Sequence, residues 1–139
     1  MKAGLENIPR CLLDDRFVKH CGIELLSAEA GRARARLVLH PHHWNGLGMT
    51  QGGAIFTLAD YTFAVASNFC GTVAVAVSCS IHFMKATSEG TLTAEAREVS
   101  CNSRLGTYEV EVRDEQGEIV AVFQGLAYRK KDRLPCSPN

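Results

Sequence analysis

The sixteen residues from Asn45 to Asp60 hold the groups of this 139-residue chain whose types and spacing point to chemistry. Gly52 and Gly53 lead into a stretch of helical periodicity, so a ligand can approach backbone N–H groups that have no intrahelical partner. Those donors carry the positive end of the helix dipole, which suits an oxygen gaining negative charge. Asp60 lies about two helical turns further on, and Asn45 precedes the glycines on a loop. A carboxylate, an amide and unspent N–H donors are the parts needed to add water to a carbonyl.

The charge pattern singles out the carboxylate. Between Arg36 and Lys85 lie 48 residues, and Asp60 is the only Asp, Glu, Lys or Arg among them. So long a charge-poor stretch is core or interface. A carboxylate placed inside it needs hydrogen bonds or a raised pKa, because burying an unpaired charge is costly.

The elements that position these groups follow from periodicity. Ile55, Leu58, Ala59, Thr62, Phe63 and Ala66 form one stripe of a helix spanning Gly53 to about Cys70. The flanks Phe56, Ala64, Val65 and Phe69 are apolar too, so the helix is enclosed on most sides. Asp60 projects about 120° from the stripe, beside Phe56, Ala64 and Ser67. Before the helix, strand alternation begins near Gly22, and Arg32, Arg34 and Arg36 alternate with Ala33, Ala35, Leu37 and Leu39. After it, Thr72–Phe83, Thr91–Ser100, Thr107–Arg113 and Glu118–Lys130 read as four strands, the last two joined by the turn Asp114–Gly117. Thr72–Phe83 is nearly uncharged, as expected of a central strand. The class is α+β, an antiparallel sheet wrapped on one helix.

Composition narrows the function. Fifteen Lys and Arg balance fifteen Asp and Glu, which argues against a phosphate-neutralising nucleic-acid surface. No stretch supplies the ~20 apolar residues of a membrane span, and Met1–Glu6 lacks the apolar core of a signal peptide. The expectation is one soluble, cytoplasmic domain over 1–139, with a capping segment at 1–21 and a loose tail at 131–139. The six cysteines have no metal or redox spacing and are expected to be reduced. His40, His42 and His43 adjoin Pro41 without a carboxylate or cysteine at ligand spacing, so no metal site is expected.

The segment from Asn45 to Asp60 resembles the hotdog-fold acyl-CoA thioesterases of the phenylacetic-acid-degradation (PaaI) type, which show Asn, a glycine loop, His-Gly-Gly and a helix opening with Leu-Ala-Asp. Ala66-Ser67-Asn68, Ile81 to Ala86 and Tyr108 to Ala121 are similar to later parts of that family. The resemblance, over about 20–130, implies the hotdog fold and hydrolysis of an acyl- or aryl-CoA without a cofactor. It implies Asp60 as nucleophile or general base, the Gly52 amide as the donor polarising the carbonyl, and Asn45 holding water or the acyl group. Gln51 stands where the family has His; it can donate a hydrogen bond but carries no proton near neutrality. Gln51 and Gly53 are expected beside the substrate, with a strand hydroxyl from Ser78 or Ser80 and coenzyme A phosphates meeting Lys85 and Arg104. In this family the Asp and the glycine loop of one site come from different subunits, which implies a homodimer or a dimer of dimers. The alternatives are an acyl-CoA-binding module without turnover, favoured by Gln51, and a hotdog hydratase or dehydratase.

Overall fold

Alternation makes the first two strands. In Arg32–Val38 (β2) the arginines stand outward while Ala33, Ala35 and Leu37 are buried. Ile23–Glu29 (β1) pairs with it antiparallel. Thr72–Phe83 (β3), Thr91–Cys101 (β4), Leu105–Arg113 (β5) and Ile119–Arg133 (β6) complete an antiparallel sheet of order β1-β2-β4-β5-β6-β3. This architecture is seen in a computed structural model that describes residues 5–136. The sheet curls around one long helix, the α+β hotdog arrangement.

Two short helices, Arg10–Leu13 (α1) and Arg16–Cys21 (α2), precede the sheet, and the long helix spans Gly52–Asn68 (α3). Its buried side carries Ile55, Leu58, Ala59, Thr62, Phe63 and Ala66, the stripe expected from periodicity. Opposite it, Ala35 pairs with Ala94 and Ala33 with Ala96 on β2 and β4. These short side chains form a shallow trough in which the helix can lie close to the sheet. The approach is tightest at Gly125 on β6, where a Cβ would stand 2.8 Å from the Phe63 ring. Phe63 is further held by Tyr108 and Phe123, with centroids 5.3 and 5.7 Å away. At the other end of α3, Asn68 receives the Ala74 N–H at 2.8 Å and donates to the Ala74 carbonyl at 3.1 Å, tying helix to β3.

Three expectations are corrected. The uncharged strand β3 is not central but an edge, paired only with β6. Its Val75 and Val77 are exposed. Lack of charge looked like burial between two strands, yet an edge covered by another surface shows the same composition. The tail expected to be loose is strand as far as Arg133, and the Leu134 N–H donates to the Gly71 carbonyl at 2.7 Å. Residues 137–139 of that tail, and 1–4 of the capping segment, lie outside the described residues. Finally, the cysteines are not all reduced: Cys11 and Cys136 are disulfide-bonded across 125 residues, with Cα atoms 5.6 Å apart. Cys21, Cys70, Cys79 and Cys101 are free. Sequence spacing could not show this pair, because the return of β6 past Gly71 is what brings the two ends together.

Among the described residues no helix is long and apolar enough to cross a membrane.

The disulfide closes nearly the whole chain into one loop, so it limits the unfolded state more than it alters the native one. Breaking it with a reductant, or by Cys136→Ser, should lower stability by about 2–4 kcal/mol with little change in secondary structure. Thermal unfolding with and without dithiothreitol measures this; equal melting temperatures would show that the link constrains nothing.

Candidate active site

The first turn of α3 is held by the loop before it. Gln51 is extended at the N-cap, and its Oε1 accepts the Gly53 N–H at 3.4 Å. The Gln51 N–H donates to the His43 carbonyl at 2.7 Å. Thr50 is fastened to Thr87 twice, its N–H and Oγ1 reaching that carbonyl at 2.7 and 3.0 Å. Trp44 donates its indole N–H to the Ser88 carbonyl at 2.7 Å.

His43 is the buried centre of this loop. Its Nδ1 accepts the His40 N–H at 3.0 Å, which leaves Nε2 to donate to the Cys21 carbonyl at 2.7 Å. The ring therefore joins the loop to the end of α2. Its placement beside Pro41, noted in the sequence only as a metal question, belongs to this framework.

Asn45 Nδ2 and the Gly52 N–H are among the donors left unspent. Asn45 Oδ1 accepts the N–H groups of Leu47 at 2.9 Å and Met49 at 3.2 Å, which fixes the amide's orientation and frees Nδ2 to donate. The Gly52 N–H has no acceptor among the described residues. Asn45 and Gly52 line one groove of about 350 Å³ with Met49, Ile55, Phe83 and Met84. Gly53 is exposed at the same turn, and a Cβ there would meet only Gln51 Cγ, at 3.8 Å.

Asp60 lies on the less buried side of α3 with Phe56, Thr57, Ala64 and Ser67. It is half-buried and has no hydrogen-bond or ion-pair partner among the described residues. Burial raises its pKa above the ordinary carboxylate value, and the negative charge of Asp15, the N-cap of α2, adds to this. Asp60 in turn raises the pKa of Cys79 on β3, after that thiol's own burial. Between these groups Tyr61 donates to the Leu12 carbonyl at 2.7 Å, and its own pKa is pushed up to about 12 by burial and by Asp15. At 1.5 Å rise per residue, Asp60 and Gly52 stand about 12 Å apart along the helix. One chain therefore gathers Asn45, Gln51 and Gly52 at the start of α3, and its Asp60 stands apart from them.

The remaining expected site residues fall elsewhere. Ser78 and Ser80 pair with Leu126 and Gln124, on the sheet face opposite the inward Cys79 and Ile81, so neither hydroxyl points toward α3. A bulge between Ala76 and Ser78 reverses the alternation there, which the sequence did not reveal. The Lys85 ammonium is already bound by Asp114, at 2.6 Å, and by Glu118, so it is not free for a phosphate. Arg104 sits in the β4–β5 turn, at the opposite end of the sheet from the groove. Phe83 lines the groove directly, although the sequence marked it only as part of a strand.

Comparison with known proteins bears on the family and the fold. A family model described as the thioesterase superfamily matches residues 47–121. A protein of Archaeoglobus fulgidus is 36% identical over 88% of this chain and 80% of its own. Acyl-coenzyme A thioesterase PaaI of Escherichia coli is 35% identical over 84% of each chain. The solved structure of E. coli PaaI superposes with a TM-score of 0.86, covering 90% of this chain and 91% of that one. The TT0310 protein of Thermus thermophilus gives 0.80 at 36% identity, covering 84% and 98%.

Replacing His43 tests the framework. His43→Leu keeps an apolar side chain but leaves the His40 N–H and the Cys21 carbonyl without partners. A fully buried group so orphaned costs about 1–3 kcal/mol, and for these part-buried groups that is the upper bound. Urea unfolding should show a loss of that order, and an unchanged midpoint would mean that water replaces the ring.

Proposed function

The chain belongs to the thioesterase superfamily, among hotdog acyl-CoA thioesterases of the PaaI type, and from that premise we propose that it hydrolyses an acyl-CoA thioester to the free acid and coenzyme A. The observation that carries this reading is the unspent Gly52 N–H at the start of α3, in a groove that also holds the free Asn45 amide donor. In the proposal, the thioester oxygen accepts the Gly52 N–H and Asn45 Nδ2 holds the acyl group or the attacking water. Asp60 takes a proton from that water as it adds to the carbonyl carbon. The carbon–sulfur bond then breaks, and the proton passes to the departing thiolate. A raised pKa suits a carboxylate acting as general base. Gln51 positions substrate by its free amide N–H groups and takes no part in proton transfer.

Two copies supply this site. In the proposal the Gly52 N–H meets the thioester oxygen and Asp60 meets the attacking water, and the about 12 Å between the two residues along one helix favours supplying them from two copies. The exposed edge of β3 supports antiparallel pairing with a second copy. It is twelve residues long, carries no formal charge, and holds Cys79 beside Asp60. We read the enzyme as a homodimer or dimer of dimers, with Asp60 of one copy facing Gly52 and Asn45 of the other. We place it in the cytoplasm, where thiol buffers favour the reduced form of Cys11 and Cys136.

Asp60→Asn keeps size and removes the base. Thiol release from acyl-CoA should fall on the order of 10²-fold or more, while substrate affinity changes much less. Because the folded pKa of Asp60 is raised, the folded chain binds more protons than the unfolded one between the two pKa values. Stability therefore declines as pH rises through that window, and the ionised group is a cost above it. The mutant should accordingly melt at the same or a higher temperature at neutral pH. A stable mutant with parental turnover would remove Asp60 from the mechanism. Sedimentation of the wild type should give at least twice the chain mass at micromolar concentration; a single-chain mass would overturn the two-copy site.

The pH profile gives a separate reading. The acid limb of kcat/KM should lie above the ordinary carboxylate range. Asp15→Asn, which can still cap α2, should move it to lower pH by removing one negative charge. An unmoved limb would show that Asp15 does not act on Asp60.

A further inference from the structure

Phe83 is the last residue of β3 and follows the inward parity of Cys79 and Ile81. Those two side chains are packed against the core, but Phe83 is 52% exposed. Its ring lies against the first turn of α3. A Cβ on Gly52 would stand 3.1 Å from Phe83 Cζ, 3.4 Å from Cε1 and 3.6 Å from Cε2. The ring tip is thus beside the residue whose N–H is unspent, close enough that a methyl at that Cβ position would push the ring by a few tenths of an ångström.

The rest of the groove gives that position its chemistry. Met49, Ile55 and Met84 supply apolar walls. Thr50 Oγ1 is engaged by Thr87, and the Lys85 ammonium by Asp114 and Glu118. The side-chain and helix-start donors left unspent in the groove are Asn45 Nδ2 and the Gly52 N–H. In the hydrolase reading, a carbonyl held there brings its acyl chain into the groove that Phe83 lines.

We propose that Phe83 sets the width of the acyl slot next to the Gly52 amide, so that the enzyme takes neutral acyl groups unbranched at the carbon beside the carbonyl and rejects branched ones. The inference rests on the hydrolase reading above and names the substrate class of that site. A straight chain or a CH₂ group presents only hydrogens to the ring. A methyl branch at that carbon must displace the ring or shift the carbonyl off its donor.

Butyryl-CoA and isobutyryl-CoA have the same atoms and differ only in this branch. With thiol release as the readout, wild-type kcat/KM should favour butyryl-CoA by about ten-fold or more, within the range for one misplaced methyl group. Phe83→Ala should bring the two esters within about three-fold, mainly by improving the branched one, and Phe83→Leu should fall between. Melting temperature and sedimentation mass are measured on the same preparations. If Phe83→Ala does not fold or assemble, Phe83→Leu decides: a ratio lowered part way supports the proposal, and the parental ratio overturns it. A folded, assembled Phe83→Ala with the parental ratio overturns it as well. Equal cleavage of both esters by the wild type overturns this inference alone, whereas release of thiol from neither overturns the hydrolase reading with it.

Discussion

The structure depends on one constraint: a helix that is apolar on most sides must be enclosed by a single sheet too small to close around it. The stripe from Ile55 to Ala66 and the alanine trough of β2 and β4 satisfy most of that demand. Gly125 lets the Phe63 ring touch the β6 backbone, so the enclosure is tight there. What remains uncovered is the side carrying Phe56, Asp60, Ala64 and Ser67, next to the uncharged edge of β3. The lone carboxylate of the charge-poor stretch lies where the enclosure stays open.

The same enclosure makes the start of α3 rigid. His43, Thr50 and Trp44 tie the preceding loop to the end of α2 and to the residues before β4 through backbone carbonyls. The loop's own polar groups are mostly consumed in these ties. The Gly52 N–H and the Asn45 amide stay free because the framework settles everything around them. A donor that needs no rearrangement when charge develops is worth more than one recruited from a mobile loop.

The N-terminal segment adds electrostatics. Asp15 caps α2 and, in the same position, acts on Asp60, while Tyr61 fastens the segment to α3 through Leu12. Cys11 joins that segment to the end of β6. A piece of chain that reads as mere covering thus sets part of the environment of the proposed base.

Local pattern determined much of this protein by itself. Residue pattern bounded five of the six strands and marked only the onset of alternation near Gly22 for β1. The 3.6-residue stripe located α3 to within about two residues at each end, the charge gap singled out Asp60, and helical spacing put it off the buried stripe. These are properties of neighbouring residues, and local periodicity reports them directly. Tertiary structure alone decided that β3 is an edge, since a covered edge and a central strand select the same uncharged residues. It also decided which groups remain available. Lys85 is spent on two carboxylates from a hairpin about thirty residues away, the bulge before Ser78 turns both serines outward, and Cys11 meets Cys136 across the whole chain. Each of these outcomes depends on pairing between distant segments, which residue types and spacing do not encode.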